Sequence, residues 1–372
     1  MEYIVFILFM GIMSFIEVLY FKKKNKIFFI LVIILYILFF GNRGIIGFDL
    51  GHYYPNFHKI PNIFEMISNM RFKYCEYDIG FQIYIGILKV FISDFNTFIF
   101  ITTMIDGVLM YLVFYSFSLY PVTSLFIFIG LNGMIMQINL LRNIKPIFIF
   151  LYSLKYLKNS RIKYFGINIL NLLLHHSSII YLFIYKILKY KKIKRNFLIL
   201  FFIIGLLINI GSINILTAVV KGIYYILIHV PLTDLVTYKI KYYIEYENFI
   251  QMRPLTFNIV EKIGTFILII RYAKEFVKYK YAKIFFNLYF IYLIIYLYCR
   301  GIAIIYDRFE IIFIVSYCFI YPIVLKKVNK MMKLVIIMCL LLYSLRIVSE
   351  NILPFKELEY RNEYFIKDEK RR

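Results

Sequence analysis

Nine long apolar runs, separated by short clusters of lysine, decide what this chain can become. They lie at 3–21, 27–41, 97–119, 122–141, 197–216, 257–273, 284–300, 309–325 and 334–349. A helix needs about 20 apolar residues to cross the hydrocarbon core. Hydrocarbon satisfies no backbone N–H or C=O, so runs of this length must be helical. Shorter runs occupy 79–92, 146–157 and 164–188. The expected fold is all-α: a polytopic integral membrane protein of about 10–12 transmembrane segments, some short or broken. Residues 1–349 read as a single transmembrane domain, with larger extracytoplasmic loops at 42–78 and 217–256. Residues 350–372 read as a polar C-terminal tail.

Composition agrees, with 62% hydrophobic residues, 40 Phe and 36 Tyr. Soluble domains do not reach such values. Part of the Ile, Phe, Tyr, Lys and Asn excess reads as a nucleotide bias of the source genome, which lowers the weight of any single Lys or Tyr. It does not create the alternation of apolar blocks and lysine clusters. The formal net charge of +23 does not signal nucleic acid, because the positive residues lie in short loops between spans. Such lysines keep their loops cytoplasmic, and anionic lipid is their counter-charge. Four scattered cysteines show no metal or redox spacing. Met1–Phe21 lacks a basic start and a small-residue cleavage site, and reads as a retained first span.

The lysines set an orientation. Lys22, Lys23, Lys24 and Lys26 place the first loop inside, so 42–78 is outside. Lys274, Lys278, Lys280 and Lys283, then Lys326, Lys327, Lys330 and Lys333, are inside, so 301–308 and the tail are outside. Arg161 and Lys163 conflict with the cluster Lys186–Arg195 if one straight helix joins them. A hairpin or broken helix with its apex near His175-His176-Ser177-Ser178 resolves the conflict. Segment 79–92 then does not fully cross.

Ionisable groups at membrane depth are costly and usually mark a paired or functional site. Arg43 and Asp49 sit in the glycine-rich stretch Gly41-Asn42-Arg43-Gly44-Ile45-Ile46-Gly47-Phe48-Asp49. A guanidinium is a fixed fork of donors suited to phosphate, and Asp49 supplies an acceptor or base. Arg142 closes an apolar run, either snorkelling to the interface or clamping an anion. Arg308, within Asp307-Arg308-Phe309-Glu310, is either self-paired or aimed at phosphate. Glu76 and Asp78 end the first outer loop, as a solvated helix start or with one of them a general base. His175 and His176 stand among leucines beside two serines, with unperturbed pKa values suited to proton transfer. Asp49 and His52 are three apart, but no third ligand has convincing spacing, so no metal is expected. Glu17, Asp106 and Glu261 are expected to be paired structurally. No phosphate-binding loop, dinucleotide fingerprint or serine-nucleophile elbow appears.

Taken in order, these blocks resemble the EpsG family, which contains Wzy-type polysaccharide and O-antigen polymerases. Arg43-x5-Asp49-x3-Tyr53 resembles the family's Arg…Gly-x-Asp…Tyr block. Glu76-x3-Gly80-Phe81 resembles its Glu-x-Gly block, Arg142-Asn143 its Arg-Gln block, and Leu174-His175-His176-Ser177-Ser178 its His-x-Ser-Ala block. Arg308 matches a late arginine at the head of a span. Asn143, Lys145-Pro146 and Ser178 depart from the pattern. The resemblance implies a GT-C-like membrane glycosyltransferase of the bacterial cytoplasmic (inner) membrane. It would join oligosaccharide repeat units carried on undecaprenyl pyrophosphate, at the outer face, for capsule, exopolysaccharide or O-antigen. Arg43, Arg142, Arg308 and Tyr53 would bind pyrophosphate and sugar, and Asp49, Glu76 or His175 would be the base. No cofactor is expected. Partners would be the lipid-linked oligosaccharide, the bilayer, and a flippase and chain-length regulator of the same pathway. The alternatives are a transferase adding one sugar from a polyprenyl-phosphate donor, and a non-enzymatic flippase or exporter.

Overall fold

The structure, a computed structural model, describes residues 1–189, 194–211, 222, 258–300 and 303–360. No strand occurs among the described residues. In chain order the helices begin with α1 (Glu2–Tyr20), α2 (Lys26–Gly41), α3 (Leu50–Lys59), α4 (Ile63–Ser68), α5 (Ile79–Leu88) and α6 (Phe95–Phe117). Next come α7 (Pro121–Phe128), α8 (Met134–Asn139), α9 (Leu141–Ser153), α10 (Arg161–Leu174), α11 (Ile179–Phe183), α12 (Tyr185–Lys189) and α13 (Arg195–Ile210). The chain continues with α14 (Asn258–Arg271), α15 (Ala282–Tyr298), α16 (Ala303–Phe313), α17 (Tyr317–Leu325) and α18 (Lys330–Asn351). Five stretches among the described residues are long and apolar enough to cross a membrane: α1, α6, Pro121–Asn139, Tyr306–Leu325 and α18. Helices α2, α5, α13 and α15 are shorter apolar segments. The chain is an all-α, multi-pass membrane protein.

Two compact units divide the chain, Met1–Lys189 with Tyr321–Arg372, and Tyr190–Ile320. In the first, α1 packs on α7 and α18, and α2 lies against α6. Glu17, buried in α1, accepts from the orphan amides at the start of α7: Val122 N–H at 3.0 Å and Thr123 N–H at 2.8 Å. That is the structural pairing expected of it, since a carboxylate satisfies a helix N-terminus. α7 and α8 form one span interrupted by a π-turn at Ile129–Gly133. At one end of this unit Lys24 Nζ donates to the Tyr115 carbonyl (2.8 Å) and Lys326 Nζ to the Lys22 carbonyl (3.3 Å).

At the opposite end, residues 355–360 strap across the chain entry. Gly47 N–H donates to the Glu357 carbonyl (2.9 Å), Tyr3 OH to the Leu358 carbonyl (2.8 Å) and Tyr360 OH to the Phe39 carbonyl (2.9 Å). Here also lies the segment 50–92, where α3 and α4 fall within the stretch 42–78 that was expected as a loop. α3, α4 and α5 pack with the start of α6 around Tyr53, Phe57, Met66, Tyr77, Phe81 and Phe95. With ten residues, α5 is too short to cross.

The broken helix at 161–189 is a hairpin. α10 stops at His175, whose extended backbone (φ −158°, ψ 124°) leads into a 3₁₀ turn at His176–Ser178. The return arm brings Tyr185 to 5.1 Å from Tyr164, ring centre to ring centre, and Tyr164 OH donates to the Tyr181 carbonyl. Arg161 and Lys163 on one arm and Lys186 and Lys189 on the other therefore lie at the hairpin's open end, while Lys191 and Lys192 lie outside the described residues.

In the second unit α13 meets α14 through stacked Phe202 and Phe266 (3.9 Å) and meets α15 through Asn209 Nδ2, which donates to the Leu297 carbonyl (2.6 Å). Glu261 pairs with Lys262 at 2.8 Å, and the Lys262 ammonium lies 5.3–5.5 Å from the rings of Tyr292, Tyr296 and Tyr317. Most of the expected loop 217–256 lies outside the described residues.

Candidate active site

Three elements of the first unit meet at the end away from Lys24 and Lys326. They are the N-terminus of α5, the break before α9, and the apex of the α10–α11 hairpin. At their junction the Asp78 carboxylate takes one imidazole on each oxygen. His175 Nδ1 is 3.1 Å from Oδ2 and His176 Nδ1 is 3.3 Å from Oδ1. Arg142 Nη1 stands 3.8 Å from Oδ2. His175 is buried, His176 exposed, and Arg142 keeps 26% of its side chain exposed.

Backbone signals explain the convergence. Asp78 occupies the N-cap position of α5, yet its side chain makes no cap hydrogen bond, because it is turned to the histidines. The α8–α9 span breaks at Leu140 (φ −113°, ψ 51°), which frees the first turn of α9 to present Arg142. The guanidinium lies 4.4 Å from the centre of the Tyr77 ring, a cation–π contact. Tyr53, buried on α3, packs its ring 5.7 Å from that of Tyr77, centre to centre.

Gly80 sets the distance between α5 and α10. A Cβ there would stand 2.5 Å from the Leu173 carbonyl oxygen and 2.6 Å from its carbon, and backbone cannot yield as a side-chain tip can. Gly80→Ala is therefore expected to push Asp78 away from His175. It should lower the thermal midpoint in detergent, with a cost of about 1–3 kcal/mol, and lower activity with it. An alanine protein with unchanged melting and activity would show that the helix approach is not tight.

The electrostatics follow from burial. Desolvation pushes the Asp78 carboxyl up, but the hydrogen bonds and charge of the two histidines outweigh it and hold it well below the carboxylate range. Burial lowers the His175 pKa below its ordinary 6.5; the Asp78 hydrogen bond opposes this, and the charges of His176 and Arg142 add to it. At neutral pH the stable arrangement is an ionised Asp78 and a neutral His175. An ionised carboxylate only accepts, so His175 Nδ1 carries the proton and Nε2 has a free lone pair. A neutral imidazole oriented this way is a general base.

The other sequence-predicted site residues fall elsewhere. Glu76 is exposed two positions before Asp78, so the acid held against Arg142 and His175 is its neighbour. Arg43 is 1% exposed and turned inward, donating to the Phe40 carbonyl (2.6 Å) and, at 3.5 Å, to Thr103 Oγ1. Asp49 is half-buried at the start of α3, its carbonyl accepting from the His52 and Tyr53 amides. Its loop is docked on the α8–α9 break, where Phe48 N–H donates to Asn139 Oδ1 (2.8 Å). Gly47, at φ 128°, adopts a backbone that L side chains rarely take, and a Cβ there would meet Asn139 Oδ1 at 2.9 Å. Arg308 belongs to the second unit, exposed on α16; the cluster around Asp78 consists of first-unit residues. Asp78 and His176 also bear ligand atoms within 4.8 Å of those of His175, but two Nδ1–H donors on one carboxylate satisfy the same geometry. The signal for Asp78 in the sequence was its place immediately before the α5 apolar run, where a helix begins.

The fold is that of a multi-pass helical membrane protein carrying a carboxylate–imidazole–guanidinium cluster in its first unit. The chain belongs to the EpsG family, whose family model matches residues 26–362, and it is at that level a Wzy-like polysaccharide polymerase. Neither a curated protein nor a solved structure matches it.

Proposed function

We propose that this protein polymerises oligosaccharide repeat units carried on undecaprenyl pyrophosphate, at the outer face of the bacterial cytoplasmic membrane. The observation that carries the reading is the meeting of Arg142, Asp78 and His175 at the end of the first unit opposite Lys24 and Lys326. In the transfer, the bond between the donor sugar's anomeric carbon and the pyrophosphate oxygen breaks, and its electron pair stays on the diphosphate. The anomeric carbon bonds to a hydroxyl oxygen of the next unit's terminal sugar. His175 Nε2 accepts the proton from that hydroxyl, and Asp78 holds the ring and stabilises the imidazolium. Arg142 faces the diphosphate, whose charge grows as the bond breaks, so its interaction is strongest in the transition state. A nucleotide sugar is not needed, because the donor is already activated as a lipid diphosphate. A flippase would deliver the units, and a chain-length regulator would act on the product.

The test is a polysaccharide gel of a strain deleted for this gene and complemented with it. A polymerase gives a ladder of repeat units with the gene and single surface-exposed units without it. A one-sugar mass step in the lipid-linked intermediate would instead indicate a single-sugar transferase. Repeat units retained on the cytoplasmic leaflet would indicate a flippase.

A further inference from the structure

Beneath the site lies a second set of charges that the chemistry does not use. Asp106 on α6 and Lys145 on α9 form an ion pair at 3.0 Å, with side chains 0% and 4% exposed. The Lys145 ammonium also lies 5.1 Å from the centre of the Tyr84 ring, and Tyr84 OH is hydrogen-bonded to Thr102 Oγ1 at 3.0 Å. Gln137 Nε2 donates to Thr103 Oγ1 (3.1 Å), and Tyr36 OH donates to Gln137 Oε1 (2.8 Å). One face of α6, carrying Thr102, Thr103 and Asp106, thus holds α5 and α9, the two helices that present Asp78 and Arg142.

We propose that the Asp106–Lys145 pair is a positioning device that aims Arg142 at Asp78. This rests on the phosphate-binding role given to Arg142 above. The first turn of α9 is poorly held by its own backbone. It starts at the Leu140 break, and Pro146 has no N–H to meet the carbonyl of Arg142, so one bond of the ladder is missing there. Asn171 Nδ2 donates to the Pro146 carbonyl (2.7 Å) and fixes α10 to α9 just below. Above that point, Lys145 is the charged anchor of the turn. Arg142 precedes it by three residues and therefore shares its helix face. Rotation of α9 that moved Arg142 away from Asp78 would pull the ammonium from its carboxylate in a medium where neither is easily left alone. Apolar pairs of similar size commonly replace buried ion pairs without loss of stability, so a pair kept here is better explained by register than by stability.

A double-mutant cycle tests this with the purified full-length protein in detergent, undecaprenyl pyrophosphate as the probe, and thermal melting alongside binding. The Asp106→Leu/Lys145→Met protein is expected to melt within a few degrees of wild type. It should bind the probe about tenfold more weakly. In an Arg142→Ala background the same two changes should cause no further loss, because the pair acts through that arginine. Wild-type affinity in the double variant, or a loss that adds in full to that of Arg142→Ala, would overturn the proposal. If the apolar pair does not accumulate, Asp106→Asn/Lys145→Gln keeps volume and hydrogen bonding and is read in the same way. An Arg142→Ala protein that binds the probe normally would remove the underlying reading and this inference with it. A pair variant without effect, beside an Arg142→Ala protein that has lost binding, would remove the inference alone.

Discussion

Arg142→Ala is expected to leave the protein in the membrane and to abolish visible polymer. Arg142 is partly exposed, and its ion partner Asp78 keeps two histidines, so truncation leaves no unpaired buried charge behind. The loss falls on the reaction instead. A preorganised donor aimed at developing negative charge is worth about 3 kcal/mol, or roughly 10²–10³ in rate. Lysine at this position keeps the charge but loses the planar fork and its stacking on Tyr77, so Arg142→Lys should recover only part of the rate. Ladder length against time, with membrane protein quantified, measures both. A normal ladder from Arg142→Ala would rule out the diphosphate role.

The second large effect is expected at the Asp78–His175 dyad, and it has a pH signature. His175 works as a base only when neutral. Burial holds its pKa below 6.5, so activity should be flat through neutral pH and fall as pH drops through that depressed value. His175→Ala should lower the rate on the order of 10²–10⁴ at all pH values, the usual worth of a general base. Asp78→Asn should also be slow, because an amide can hold the wrong tautomer. Asp78 stabilises the imidazolium, and its removal depresses the His175 pKa further. The acid limb of the residual activity should therefore move to lower pH, not higher. A limb that does not move, or moves up, would show that another group titrates. Rates of chain extension by purified protein in vesicles, followed across pH, supply the measurement.

How far the sequence revealed the site varies residue by residue. Arg142 and His175 were recognisable because each ends an apolar run and neither has an apolar reason to be there. The hairpin at 161–189 followed from two basic clusters that had to share one side. Glu17, Asp106 and Glu261 were expected to be paired and are paired, since hydrocarbon tolerates little else. Arg43 showed the limit of this reasoning. Glycines around it suggested a ligand loop, but the chain turns it inward beneath the tail strap, and a one-dimensional pattern carries no direction for a side chain outside a regular helix. Glu76 and Asp78 were indistinguishable for the same reason. Tyr53 fell among 36 tyrosines, and only the fold brings its ring to that of Tyr77, beside Arg142.

Alone, the sequence determined that this chain is a helical membrane protein, and roughly where the described apolar helices begin and end. These are local properties: apolar length and backbone satisfaction are both read within about 20 residues. Only the tertiary structure decided that Asp78 rather than Glu76 meets His175, that Arg43 is buried, and that Lys145 anchors the helix bearing Arg142. Those contacts join residues 97 and 39 positions apart along the chain (Asp78 to His175, Asp106 to Lys145). They exist because Gly80 lets two helices touch and a break at Leu140 turns a third.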